Sequence, residues 1–243
     1  MIEYTDSHNT ILKCRKNNIN IYITKVYGWM FLGLIFTSFI AWNIVHMHLI
    51  VKYFLYNQFV LFILCLLQII LVFVISNFLH RLSGQTLTTL FVSYSFLTGI
   101  TISGIYSLYN HKTIFTAFIT SAVMFLIMYI WGYKTKTRLS NYSNILMMGC
   151  MGLFLSSFIN IIFHNDLIVS ITNYFGVFLF TILIAVDAQK LKELGYIVST
   201  NMQDKDNVRR YVILGALILY LDFINLFITV LQIIGNRHDK EDS

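Results

Sequence analysis

The chain has no proline, three cysteines and few charges: Asp, Glu, Lys and Arg make up 12% of its 243 residues. A soluble domain carries about twice that share. Few charges exclude a disordered segment, which needs polar, charged composition to stay unfolded. Twelve glycines and no proline exclude a collagen-like fibre. Three cysteines without a C-x-x-C pair exclude a disulfide scaffold and a common type of metal site. Cys14 lies in a polar segment, and Cys65 and Cys150 lie in apolar runs, where they are expected to act as small buried hydrophobes. What the chain has in excess is apolar surface: 57% hydrophobic residues, with a mean hydropathy of +0.71. No soluble domain of this size can hide that much, so the composition points to a polytopic membrane protein.

A helix needs about 20 apolar residues to cross the hydrocarbon core. Seven such runs occur, at residues 26–50, 58–79, 87–109, 114–132, 144–163, 168–187 and 211–234. They are continuous and do not alternate, which excludes spanning strands. The segment before the first run is polar and basic, and the run is longer than a signal-peptide core, so it is read as an uncleaved span. The expected organisation is a cytoplasmic tail over 1–25, a seven-helix domain over 26–236 and a short tail over 237–243.

Positive charge sets the orientation. With the N-terminus in the cytoplasm, Lys13, Arg15, Lys16, Lys25, Arg81, Lys134, Lys136, Arg138, Lys190, Lys192, Lys205, Arg209 and Arg210 all fall inside. Lys52, Lys112, Arg237 and Lys240 fall outside. This bias follows the positive-inside rule, so the basic balance records topology and not a nucleic-acid surface. Small residues recur in the third run (Gly99, Ser103, Ser107) and the fifth (Gly149, Gly152), where close helix packing is expected.

Of eleven acidic residues, nine lie in tails or loops. Asp187 ends the sixth run and Asp222 lies mid-way along the seventh. An Asp at a helix centre costs about 2.5–3.5 kcal/mol on insertion, so it faces the bundle interior and marks a functional site by default. Asp222, Asn225, Thr229 and Gln232 follow at spacings of 3, 4 and 3, forming one polar stripe on an otherwise apolar helix. Such a helix belongs in the centre of the bundle. Asp222 stands 12 residues past Arg210, roughly 18 Å of helix, and Asp187 eight residues before Gly195, roughly 12 Å. The two carboxylates therefore reach similar depths. Brought together they cannot both ionise easily, and they titrate as a unit. Arg81, just past the second run, ends in the same leaflet and is the expected countercharge.

Several segments resemble the transmembrane Bax inhibitor motif family, with the bacterial inner-membrane branch nearest. The resemblance is carried by Tyr220-Leu221-Asp222-Phe223-Ile224-Asn225-Leu226-Phe227, Val186-Asp187-Ala188-Gln189-Lys190-Leu191, Val26-Tyr27-Gly28-Trp29-Met30, Leu97–Ser103 and Gly132-Tyr133-Lys134-Thr135-Lys136. It implies seven helices with the last in the centre. It also implies a calcium-permeable leak path gated by the pair that matches Asp187 and Asp222, with Arg81 in the place of a latch. Val186 departs from the pattern, since many members carry Tyr before that aspartate. The cell-death label of eukaryotic members does not transfer to a bacterial chain.

Two other classes compete. An intramembrane aspartyl protease also uses two membrane aspartates, but its Tyr-Asp and Gly-x-Gly-Asp contexts are replaced here by Val186-Asp187 and Leu221-Asp222. No enzyme is expected, and no cofactor or resident metal. The second alternative is a non-conducting membrane protein that binds and modulates a membrane protease or a stress-response complex.

Overall fold

The computed structural model describes residues 2–46, 57–106, 108–163, 165–199 and 204–241. Among the described residues seven α-helices form in chain order: α1 (Ile2–His46), α2 (Gln58–Asn77), α3 (Gly84–Tyr106), α4 (His111–Lys134), α5 (Ser143–Phe163), α6 (Asp166–Ser199) and α7 (Lys205–Glu241). A 3-10 turn, Leu139–Tyr142, precedes α5, and no strand occurs among the described residues. Each helix contains a stretch long and apolar enough to cross a membrane. The protein is an all-α polytopic membrane protein.

The helices overrun the apolar runs that define them. α1 begins at Ile2, so the polar segment expected as a tail joins the first span in one helix. Nothing before Gly28 breaks it. α6 continues past its apolar run to Ser199, and α7 starts at Lys205, six residues before the expected run. The expected loop from Ala188 to Arg210 is therefore mostly helix. Its residues Ala188, Gln189, Lys190, Leu191, Lys192, Glu193 and Leu194 are mostly strong helix formers.

Burial separates helices that face lipid from those that form the interior. Only 6% of the apolar windows of α2 and α5 is buried, against 67% for α7. Cys65 lies exposed on α2, so it is not the buried hydrophobe expected, and Cys150 on α5 is half-buried. In a bilayer an outward thiol costs little, because lipid is as apolar as a core. The Cys14 side chain lies outside the described residues.

The chain divides into two compact units. The first comprises residues 1–108 and 191–220: α1, α2, α3, the end of α6 and the first half of α7. Its core is Tyr22, Val26, Ile75, Leu87, Phe91, Ile213 and Leu217. α1 and α3 pack closely at Gly99, where a methyl would stand 2.9 Å from the Thr37 carbonyl oxygen. Asp206, in the first turn of α7, accepts a hydrogen bond from the Gly84 N–H at 2.8 Å and pairs with Arg210 at 2.6 Å. Its carboxylate thus caps the N-terminus of α3, where backbone donors are otherwise unsatisfied and the helix dipole favours an anion. Deeper in, Thr37 donates to the Ser95 carbonyl at 3.0 Å, so the Tyr220 hydroxyl, 2.6 Å away, must donate to Thr37. The Tyr220 ring meets Phe91 and Tyr94 edge to face, each 5.8 Å between centroids.

The second unit comprises residues 109–190 and 221–243: α4, α5, most of α6 and the second half of α7. Phe223 packs edge to face against Phe118 and Phe125 of α4. Ser156 and Thr172 share a hydrogen bond of 2.7 Å between α5 and α6. α4 crosses α6 at Gly132, where a methyl would collide with the Ala185 backbone. Gly149 is similarly filled by Leu179, whereas Gly152 has open space where a side chain would go and takes no part in the close packing expected of it.

These two glycines give opposite predictions. Gly132→Ala should destabilise the protein by about 1–3 kcal/mol, because helix backbones must separate to admit the methyl. Gly152→Ala should be neutral or stabilising by up to about 1 kcal/mol, since only helix propensity changes. Thermal unfolding in detergent measures both; equal melting temperatures for the two variants would contradict the packing described.

Candidate functional site

Asp187 and Asp222 lie in the same unit, on α6 and α7, and both are buried, 8% and 3% exposed. The sequence between Ile184 and Ala188 is buried throughout, so the α6 helix has no solvated face at this point. Asp187 is held there from below by Gln189. The Gln189 side chain accepts from the Leu139 N–H at 2.7 Å and donates to the Thr137 carbonyl at 2.9 Å. This fixes α6 against the connection between α4 and α5. From the side, Ala185 and Val186 pack with Leu139, Leu146 and Leu179. Val186, the departure from the family pattern, is thus a fully buried hydrophobe beside the carboxylate.

The two carboxyl groups are near enough to interact directly. Lys190, one turn along α6, reaches back to Asp187 with its Nζ 2.8 Å from Oδ1. Asp222 Oδ2 is buried and meets no donor among the described residues. Two ionised carboxylates are acceptors only, so close together they need a cation or a proton between them. The arrangement is one lysine, two carboxyls and room for one shared proton.

In the sequence Lys190 stands out as an inside charge and as part of the Asp187 motif, and its i,i+3 spacing from Asp187 is the signal for the pairing. Arg81, expected as the countercharge, belongs to the other unit. There it sits in the turn after α2, with its guanidinium 5.9 Å over the Phe78 ring.

The polar stripe is present along α7, with Asn225, Thr229 and Gln232 all half-buried. Thr229 donates back to the Asn225 and Leu226 carbonyls at 2.8 and 2.9 Å, and its methyl lies against Gly176 of α6. At Thr229 this face of α7 therefore packs against α6. Asn173, 5% exposed on α6, adds a buried amide nitrogen without a partner among the described residues. It was not identified from sequence.

A seven-helix membrane protein with two buried, mutually facing aspartates on its last two helices is a narrow class. The chain belongs to the family described as inhibitor of apoptosis-promoting Bax1, whose model matches residues 19–239. It is 41% identical over 219 residues to the inner membrane protein YbhL of Escherichia coli K12, covering 90% of this chain and 93% of that one. It is also 32% identical to a protein of Borreliella burgdorferi over 239 residues and 31% identical to one of Rickettsia prowazekii over 242. In each case 98% of this chain and all of the relative are covered.

The shared proton is open to spectroscopy. Infrared spectra of the purified protein near neutral pH should show a protonated-carboxyl stretch that Asp187→Asn and Asp222→Asn each shift or diminish and that the double variant abolishes. A band that survives both substitutions belongs to another group and would remove the proton from this pair.

Proposed function

We propose that the protein is a pH-sensitive, calcium-permeable leak channel of the bacterial inner membrane, with its N-terminus in the cytoplasm and the Asp187–Asp222 pair as its gate. The observation that carries the reading is the facing of two buried carboxyls across α6 and α7 beside a single lysine. Family membership supports it, and the inner-membrane location of YbhL supports the compartment. The surrounding oxygens suit a hard cation: two carboxylates, with the amide oxygens of Asn225 and Gln232 along the stripe. A high-affinity calcium site uses six to eight oxygens, so two carboxylates hold the ion weakly, as a leak needs.

The gate works by repulsion. With one proton shared, the pair attracts and α6 and α7 stay together. Losing that proton leaves two like charges in a medium of low dielectric, which drives the helices apart. Lys190 favours the ionised form and so sets the pH at which this happens. The latch role of Arg81 rests on the family resemblance. No cofactor enters the scheme, and no catalytic step is assigned.

Calcium flux into liposomes containing only this protein tests the reading. Flux should rise with pH. Asp187→Asn and Asp222→Asn should each flatten the profile, and the double variant should add little, since the two residues act as a unit. Asn225→Ala should change flux less, because it does not titrate. Lys190→Met removes the cation paired with Asp187, so the pH profile of the flux should change with it. Unchanged profiles in both Asn variants would make the pair structural. Absence of flux at every pH would put the non-conducting reading first: a membrane protein that modulates a protease or a stress-response complex.

A further inference from the structure

A cavity of about 470 Å³ opens in the second unit, in the half of the helices away from the aspartates. Its walls come from Thr120 and Met124 of α4, Val177 and Thr181 of α6, and Val230 and Ile233 of α7. The two threonines turn their protons away from it. Thr120 donates to the Thr116 carbonyl at 2.8 Å and Thr181 to the Val177 carbonyl at 2.5 Å. Water needs two to four polar partners to settle in a cavity, and apart from the hydroxyls of Thr120, Thr181 and Tyr174 the walls are hydrocarbon and thioether. The occupant must be apolar.

Its size and place identify the occupant. A dry cavity of about 150 Å³ takes a six-carbon ring, so three times that volume holds on the order of eighteen carbons. The cavity lies within the apolar windows of α4, α6 and α7, where the bilayer supplies hydrocarbon at very high concentration. At one end stands Tyr174, 62% exposed and eight residues from the start of α6. We infer that the cavity is a binding site for one acyl chain of a bilayer phospholipid, inserted between α6 and α7.

The position gives the site a consequence. Thr181 lies six residues, roughly 9 Å, before Asp187, and Val230 lies eight residues, roughly 12 Å, beyond Asp222. The chain thus wedges the same two helices that carry the carboxyl pair, one to two turns further along. The inference stands whether or not the protein conducts.

Photo-labelling tests it. The wild-type protein in detergent micelles is titrated with phosphatidylethanolamine carrying a diazirine on its acyl chain, and labelled peptides are mapped. Labelling at Met124, half-buried in the cavity wall, should saturate at one lipid per protein, while labelling at the outward-facing Met148 and Phe154 of α5, 74% and 65% exposed, should keep rising. Val177→Phe fills the cavity and should cut the saturable labelling at least about fivefold without changing that at Met148. Labelling at Met124 that rises in parallel with Met148 would show ordinary boundary lipid and overturn the inference. So would saturable labelling that Val177→Phe leaves intact. The wild-type titration decides the matter even if the variant does not fold.

Discussion

An isolated charge in the hydrocarbon core is so unfavourable that a buried carboxylate must find a partner or a proton, and this chain places two of them together. Everything around the pair follows from that constraint. α6 is buried from Ile184 to Ala188, and among the described residues Asp187 turns to Lys190 and Asp222. Asp222 lacks a donor for Oδ2 among the described residues. Without a proton the pair is a source of repulsion where dielectric screening is weakest. On the proposed reading, one protonation event decides whether two long helices attract.

α7 serves this arrangement by carrying a different commitment on each side. Tyr220 and Asp222 are two residues apart and so point in nearly opposite directions. Tyr220 is tied into the Thr37 and Ser95 hydrogen bonds and met edge to face by Phe91 and Tyr94. Asp222 faces α6. A rotation of α7 by even one residue, about 100°, would carry Asp222 away from Asp187. On the far half of the same helices the contact is apolar and open enough for a lipid chain. One part of the α6–α7 seam is thus polar, and the other is apolar.

Much of this was legible in the sequence because a membrane enforces simple rules. The seven spans follow from uninterrupted apolar length, and the aspartates stand out because almost nothing else in those spans is charged. Helix ends were less legible. Hydropathy marks where lipid stops, not where the helix stops, so the extension of α6 through Ser199 and of α1 back to Ile2 were read as loop and tail. Lys190 reads as a topology signal and as part of the Asp187 motif, while the expected countercharge was a distant cation. Partnerships across the chain, such as Tyr220 with Thr37, leave no local pattern to read. Gly152 shows the converse: a small residue promises a close approach, but only its rotational position on α5 decides whether a helix is there to approach.

On the proposed function, protonation of one carboxyl pair sets how far α6 and α7 stand apart. Spin labels at Glu193 near the end of α6 and Lys205 at the start of α7, both exposed, report that separation directly in liposomes. The distance distribution should shift to longer values as pH rises, and Asp187→Asn or Asp222→Asn should hold it at one value throughout. A distribution that moves with pH in the wild type and in both Asn variants alike would place the switch elsewhere, and one that never moves would contradict the account.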